Sequence, residues 1–502
     1  MNFIETIKKE KKFLFILFLI AFLVRAFIFV TYLSKNENYF QVDSDAYHKI
    51  ATNIAEGKGI SADGSSPQFY RLPGYPAFLS VYYKAVGVDP KNVLWIQIIF
   101  ASLIPILIFL LSLVLFPGYL LLARIVSIFS CFHFGLVLYS GFFMTESIFI
   151  LFFLLFAILF FSQIYLFFIP RKRSSSLLET VICADEMCQG PGFIELCEKI
   201  DEDDDKKFRN NLIWKLFLAG IFLGLAGLFR PVGHYFIVLS LVVIIFSNLK
   251  FAEKIWGSLS IFIGWVIPVS FWLIRNFVLT GYLFFHTLPG GHFLNLSASR
   301  VAMTVQNCSY WDARTNLNKE AAANIAQKEV ELGRKLQDIE VCNESLNVAT
   351  KYFKKYPTIA MKFWLTDMLR TSLSLYSSEL VVINSKEKID YFDKNRTVFS
   401  LFKRYLVPPI SNKFLIFIIY LEIILFLFVL LGFGFFIFNV FRNFKNRKND
   451  FSNLFKVIPF MALFIVIALS GGYSRMRLPI EPFLMIFAFK FWIEFFKINK
   501  EN

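Results

Sequence analysis

Three carboxylates stand where polar segments of this chain meet apolar ones. Asp43 and Asp45 lie in the polar stretch 42–51, and Glu146 directly precedes a long apolar run. An ionised carboxylate can accept a proton from an attacking hydroxyl group. We therefore take Asp43, Asp45 and Glu146 as candidate catalytic residues, with Asp43 as the base and the other two orienting an acceptor or a metal.

The two aspartates also suit a purely structural role. Asp43 or Ser44 is a suitable N-cap for a short helix that Gly57 would stop, and Asp45 is favourable in a first helical turn through the helix dipole. Asp43 and Tyr47 are four residues apart, so they share one helix face. A divalent metal, Mg²⁺ or Mn²⁺, would be held by Asp43, Asp45 and Glu146, and the sequence leaves the need for one open.

Arginines near the predicted external ends of apolar segments run against the usual enrichment of basic residues in the cytoplasm. A guanidinium group holds phosphate oxygens in a planar fork. Arg25 instead lies inside the first apolar run, about 18 Å of helix past the preceding basic residue. Such an arginine costs at least ~2.5 kcal/mol, so it faces a partner or a cavity, or extends to the headgroups. The candidate phosphate-binding residues are Arg71, Arg230, Arg275, Arg475, Arg477 and Arg25.

A cluster of arginines beside carboxylates at one face of a membrane fits one chemistry, the displacement of a lipid phosphate from a sugar carbon. The arginines would stabilise the leaving phosphate, and Asp43 would activate the acceptor hydroxyl. Polar side chains near these charges are candidate substrate contacts, although an ordinary surface histidine is the alternative for the imidazole. These candidates are Tyr47, His48, Tyr75 and Asn276.

The composition is that of a membrane protein. The chain has 502 residues, of which 57% are hydrophobic and 65 are Phe, whereas soluble domains are nearer 45–50% apolar. The net charge of +15 reflects Lys and Arg in cytoplasmic segments and does not indicate a nucleic-acid partner. Scattered cysteines without a CxxC pair exclude a zinc framework.

Apolar runs long enough to cross a bilayer predict an all-α polytopic membrane protein with about ten spans. Basic loops between these runs place both termini in the cytoplasm. The predicted spans are about 13–33, 92–115, 119–140, 147–169, 212–229, 233–249, 256–279, 413–439, 457–470 and 478–495.

Three regions follow from this topology. Residues 1–280 form an N-terminal transmembrane module with an external catalytic loop, 34–91, and a cytoplasmic insert, 170–211. Residues 281–412 form an external segment with interfacial helices, among them 347–375, for which packing against the bundle is the alternative. Residues 413–502 hold the C-terminal spans. An oxidising exterior would permit a disulfide between Cys308 and Cys342.

At these residues the chain resembles the GT-C superfamily of membrane glycosyltransferases, family 39 type, which holds protein O-mannosyltransferases and the lipid A aminoarabinose transferase. The similar pieces occur in the family's order and span most of the chain. They are Asp43-Ser44-Asp45-Ala46-Tyr47, Gly57-Lys58-Gly59, Arg71-Leu72-Pro73-Gly74-Tyr75-Pro76, Met144-Thr145-Glu146-Ser147, Gly227-Leu228-Phe229-Arg230-Pro231, Trp272-Leu273-Ile274-Arg275-Asn276, Gly290-Gly291-His292-Phe293-Leu294-Asn295 and Arg475-Met476-Arg477-Leu478-Pro479-Ile480-Glu481-Pro482.

The resemblance implies a GT-C-like bundle and a catalytic Asp in the first external loop, which Asp43 matches better than Asp45. It also implies a polyprenyl-phosphate-linked sugar donor and inversion at the anomeric carbon, with a hydroxyl of a lipid, glycan or protein as acceptor. The insert 170–211 is not part of the family's pattern. We expect a multi-pass glycosyltransferase of the bacterial inner membrane. The alternative is a transporter or flippase for a lipid-linked glycan.

Overall fold

The structure is a computed structural model, which describes residues 3–168, 202–385, 413–445, 461–462 and 472–496. Over these ranges the chain is helical and forms no β-strand, apart from an isolated bridge between Ser61 and Pro67. The predicted all-α architecture is therefore confirmed for the described residues. The helices are α1 Phe3–Ile28, α2 Ser44–Ala55, α3 Gly74–Val86, α4 Pro90–Ala101, α5 Ile104–Leu115, α6 Leu120–Phe132, α7 Phe134–Gly141, α8 Glu146–Phe168, α9 Glu202–Phe229, α10 Val232–Ile245, α11 Phe251–Thr280, α12 Leu288–His292, α13 Ser299–Gln306, α14 Tyr310–Leu332, α15 Asp338–Lys355, α16 Pro357–Leu373, α17 Ser377–Ser385, α18 Lys413–Lys445, α19 Ser474–Arg477 and α20 Glu481–Phe495.

The long apolar helices indicate a membrane-embedded protein. Among the described residues, six stretches are long and apolar enough to cross a bilayer, and the pair α6 and α7, bent by 49°, adds a seventh if it counts as one span. The six are Glu5–Leu33, Pro90–Leu115, Glu146–Gln163, Arg209–Phe229, Phe251–Thr280 and Lys413–Arg442.

The predicted count of ten spans is not confirmed. The sixth predicted span corresponds to α10, which has 14 residues, and the tenth to α20, which has 15. At 1.5 Å per residue, neither helix alone matches a hydrocarbon core of about 30 Å. The ninth, 457–470, lies almost entirely outside the described residues. Local hydropathy found the apolar segments but did not predict how long their helices are.

The predicted insert 170–211 extends too far at its C-terminal end. In the structure α9 begins at Glu202 and includes the polar residues up to 211. Residues 169–201 of the insert lie outside the described residues. The span-like segment 347–375 is two helices, α15 and α16, that meet at Tyr356. Cys308 and Cys342 are both free thiols, so the disulfide that the sequence permits is not present.

The close packing of α9 against α11 depends on small residues. A Cβ atom on Gly220 would lie 2.2 Å from the Ile261 carbonyl oxygen, and one on Gly264 would lie 2.1 Å from the Phe217 carbonyl oxygen. Glycines at such positions let two membrane helices approach backbone to backbone. This contact fixes the end of α9, at which Arg230 stands, against the end of α11, which carries Arg275.

A second close backbone contact places the loop before α3. A Cβ atom on Gly74, the first residue of α3, would lie 2.6 Å from the Leu228 carbonyl oxygen near the end of α9. Because only glycine fits there, the turn that carries Arg71 lies directly beside the turn that carries Arg230. The helices therefore bring two of the candidate arginines to one place.

Candidate functional site

Two arginines hold the Asp43 carboxylate, one through each oxygen. Arg71 Nη2 lies 2.7 Å from Asp43 Oδ1, and Arg475 Nη1 lies 3.1 Å from Asp43 Oδ2. The side chains of Asp43 and Arg71 are each 20% exposed and that of Arg475 is 30% exposed. We call these three residues the Asp43 clamp. It joins the polar loop 34–91 to the C-terminal part of the chain, and all three side chains remain partly exposed.

The start of α2 positions Asp43 through its neighbour in the sequence. The buried Ser44 hydroxyl donates to the Phe143 carbonyl oxygen at 2.8 Å and accepts the Gln41 amide at 2.8 Å. Asp43 occupies the N-cap position of α2, but its side chain accepts no capping hydrogen bond from the helix. The Asp43 carboxylate therefore binds the arginines and does not cap the helix, unlike the side chain of an ordinary N-cap residue.

The turn 68–71 and two tyrosine rings hold Arg71. The Arg71 amide donates to Gln68 Oε1 at 2.9 Å, and Gln68 Nε2 donates to the Arg71 carbonyl at 3.0 Å. The guanidinium carbon lies 5.3 Å from the ring centre of Tyr47 and 5.1 Å from that of Tyr70. Arg71 therefore contacts both Asp43 and Tyr47, which the sequence predicts to share one helix face.

A second ion pair lies beside the clamp. Arg230 Nη1 is 2.6 Å from Glu146 Oε1, and Glu146 is 2% exposed at the first residue of α8. Arg230 Nη2 also donates to Met476 Sδ at 3.3 Å. Met476 follows Arg475 directly, so the same short helix, α19, contacts both ion pairs.

Two residues that the sequence did not single out complete the surroundings of Arg475. The Tyr139 hydroxyl donates to Glu379 Oε1 at 3.2 Å. Glu379 and Glu146 both lie within electrostatic range of Arg475. The one available signal for Glu379 was that it is the single acid of the segment 373–385. Nothing in the sequence marked Tyr139.

The charges of the cluster shift the proton affinities of its members. Burial raises the pKa of the Asp43 carboxyl, but Arg475 and Arg71 outweigh it, so this pKa lies below its usual value. For Arg475, burial lowers the pKa, but the charge of Asp43 and other nearby acids raises it above its usual value. Burial raises the pKa of Glu379 and is only partly offset by Arg475. Burial also raises the pKa of Tyr47 to about 12. Asp43 therefore stays ionised more readily than Glu379.

Four of the predicted residues have other partners in the structure. Asp45 pairs with Lys49 at 2.7 Å and its side chain is 59% exposed. His48 Nδ1 is 3.0 Å from the Tyr83 hydroxyl, and Tyr75, which is fully buried, donates to Gln97 Oε1 at 2.8 Å. Asn276, also buried, donates to the Phe284 carbonyl at 2.9 Å. Asp45 points away from the clamp because it lies two residues past Asp43 on a helix.

Three of the six candidate arginines do not contact the predicted catalytic acids and instead hold other parts of the fold together. Arg275 donates to the carbonyls of Gln68 and Ile60, and thereby ties the polar loop to α11. Arg477 pairs with Glu481 and donates to three backbone carbonyls, those of residues 371, 372 and 374. Arg25 is 1% exposed and donates to the Ala21 carbonyl of its own helix. Arg71, Arg230 and Arg475 are thus the arginines that meet the predicted catalytic acids.

The predicted metal ligands do not come together. Asp43 and Glu146 each face an arginine, and Asp45 faces Lys49. Among the residues that the structure describes, no three His, Cys, Asp or Glu side chains are grouped so that they would hold a metal ion. This donor set does not suit Mg²⁺ or Mn²⁺, which prefer several oxygen ligands around one point.

The arrangement suits binding and release of a phosphate rather than of a metal. Three guanidinium groups face three carboxyl groups within one cluster, so an incoming phosphate would find arginines that are held in place but not enclosed. Comparisons with protein-family models, with curated proteins and with solved structures return no match for this chain.

Proposed function

We propose that the protein transfers a sugar from a polyprenyl-phosphate-linked donor to a hydroxyl of a lipid, glycan or protein. One observation carries the proposal: Asp43 is held between Arg71 and Arg475, which come from distant parts of the chain and remain partly exposed. The family resemblance of the surrounding motifs adds support. We further propose a bacterial inner membrane setting, with the Asp43 clamp on the outer face and both termini in the cytoplasm.

In the proposed reaction, the acceptor hydroxyl oxygen forms a bond to the anomeric carbon while the bond from that carbon to the phosphate oxygen breaks. The hydroxyl proton goes to the Asp43 carboxylate. The polyprenyl phosphate leaves with the bonding electrons and one more negative charge, which Arg71 and Arg475 stabilise. Arg230, which lies beside them, stabilises the charge of the same phosphate. Attack from the face opposite the phosphate inverts the anomeric configuration.

The clamp sets a condition on this mechanism. A carboxylate held by two arginines is a weak base, which agrees with the lowered pKa of Asp43. A donor phosphate would compete with Asp43 for Arg71 and Arg475 and so draw positive charge away from the carboxylate. Asp43 therefore becomes a better base when the donor is bound, which couples donor binding to acceptor activation.

The test is the Asp43→Asn variant, assayed in membranes supplied with labelled polyprenyl-phosphate sugars. Loss of the base should lower the transfer rate by about 10²-fold or more. The matched control is Asp45→Asn, two residues away on the same helix, which removes an acid paired only with an exposed lysine and should leave the rate unchanged. An unchanged rate in Asp43→Asn would refute the catalytic role of this residue.

The same assay separates the transporter alternative. A transporter or flippase for a lipid-linked glycan would move the intact donor and would release no polyprenyl phosphate. We expect labelled sugar in a new acceptor and free polyprenyl phosphate in equal amounts. If the donor crosses proteoliposomes unchanged and neither product forms with any acceptor, the transporter hypothesis replaces the transferase.

A further inference from the structure

The outward face of α16 is apolar. Met361 is 54% exposed, Leu365 47%, Leu369 62% and Leu373 50%. These residues recur every fourth position, so they form one continuous stripe along the helix. On the surface of a water-soluble domain a helix turns its polar face outward. The stripe on α16 therefore needs an apolar partner.

The inward face of the same helix carries buried polar side chains beside the apolar Phe363. Asp367 is 3% exposed and pairs with Arg300, whose Nη1 lies 2.7 Å from Asp367 Oδ1. Thr371, one turn further on, is fully buried. The acid of α16 is thus paired inside the protein. The helix exposes a stripe of apolar side chains while it buries an ion pair, unlike a surface helix that faces water.

Lysines border the apolar stripe. Lys354 and Lys355 end α15, Lys362 lies in the first half of α16, and all three are exposed. The α15 lysines line an open hollow with Asn347, Thr350 and Lys351. The single acid of α16, Asp367, is buried on the other face. The exposed surface is therefore both apolar and positively charged, which complements an anionic lipid surface.

The residues that follow α16 pack against α18, one of the helices long and apolar enough to cross a bilayer. Leu375, just past α16, packs against Ile419 of α18. Glu422 of α18 accepts the Tyr376 amide at 2.7 Å and the Ser377 amide at 2.8 Å. The apolar helix α18 exposes Phe414 and Phe417 on its outer surface. The C-terminal end of the stripe thus lies near a helix that is itself apolar enough to cross a bilayer.

We propose that α16 lies in the surface of the bilayer, with Met361, Leu365, Leu369 and Leu373 among the acyl chains. Lys354, Lys355 and Lys362 bind the phosphate groups of anionic lipids beside it. This assignment does not depend on the proposed transferase activity. It does bear on the site, because the carbonyls of residues 371, 372 and 374 hold Arg477, two residues from the clamp.

The test places the photoreactive residue benzoylphenylalanine at Leu365 or Leu369 in the full chain, reconstituted in nanodiscs with phosphatidylglycerol. Both positions are exposed, so the buried face of α16 is untouched. The matched control is Val330 of α14, another apolar residue, which is 82% exposed. After irradiation, mass spectrometry should find lipid adducts at 365 and 369 and only background at 330.

Adducts to protein at 365 and 369, whether to a second copy or to another part of this chain, would overturn the proposal. So would lipid yields no higher than at 330. The lysines are tested with Lys354→Gln, Lys355→Gln and Lys362→Gln together, in the chain labelled at Leu365. Phosphatidylglycerol adducts should fall several-fold relative to phosphatidylcholine adducts in mixed nanodiscs. An unchanged ratio would refute the role of the lysines.

Discussion

Arg475 and Arg477 stand two residues apart on α19, yet their surroundings differ. Arg477 is 1% exposed, pairs with Glu481 four residues on, and donates to three backbone carbonyls. The Arg475 side chain is 30% exposed and reaches a partly exposed carboxylate in the first polar loop. An enclosed guanidinium with fixed carbonyl partners holds the fold together. A partly open one that faces a partly open carboxylate can exchange that partner for a substrate.

The environment of Glu481 explains why Arg477 is structural. Glu481 is 1% exposed, accepts a hydrogen bond from the Tyr376 hydroxyl at 2.9 Å and lies 3.4 Å from His133 Nε2. Arg477 is also stacked 4.5 Å from the ring centre of Phe426. The network joins α18, α19, α20 and the turn between α6 and α7, and its ion pair is almost fully buried. Binding a phosphate there would require the helices to separate.

The largest expected effect is on stability, from Arg477→Met. Removing one partner of a buried ion pair leaves an uncompensated charge on Glu481, which costs about 3–5 kcal/mol. Thermal unfolding of the purified protein in detergent should show a clear fall in Tm. Arg475→Gln, measured alongside, should change stability by less than about 1 kcal/mol, because its pair is partly exposed. Equal melting temperatures for the two variants would remove the distinction between these arginines.

The next effect is on activity, from Arg475→Gln. Removing one donor that stabilises developing charge costs about 10²–10³-fold in rate, so transfer from a polyprenyl-phosphate sugar should fall by that order while the fold persists. Arg475→Lys keeps the charge but loses the planar fork, and it should recover only part of the activity. If Arg475→Gln retains full transfer, the clamp does not act on the donor.

The smallest effect is on pH dependence. The folded-state pKa of Asp43 is lowered, so the clamp stabilises the protein above the unfolded pKa of Asp, about 3.9. That contribution is lost as the pH falls through the folded value. Stability measured from about pH 6 downward should drop more steeply in the unmodified protein than in Asp43→Asn. Parallel curves would show that Asp43 does not carry this part of the acid sensitivity.

Local sequence information was enough for part of the site. The shared face of Asp43 and Tyr47 follows from helix periodicity, and Arg71 stands in the same polar loop as both. The same periodicity explains why Asp45 faces Lys49 instead. Glu146 was recognisable because an acid at the first turn of an apolar helix is unusual. Its partner Arg230, 84 residues later, was not identifiable as its partner from spacing.

The number of membrane spans was also not fully predictable from the sequence. Hydropathy recognised the apolar segments of α10 and α20, but it did not show that these helices have 14 and 15 residues. Helix length depends on where tertiary contacts and turns end the helix, as at the Arg230-Pro231 turn between α9 and α10. Similarly, the burial of Arg25 could not be predicted from its position in the first apolar run.

The amino-acid sequence alone established that this is a helical membrane protein with acids and arginines gathered near the ends of its apolar segments. Those properties depend on the transfer of each segment from water to lipid, which is a local quantity. Which arginine meets which acid, and which is enclosed, emerged from helix packing. Arg475 and Asp43 are 432 residues apart, and helix packing, which includes the close contacts of Gly74 and of the α9–α11 pair, brings those charges within reach.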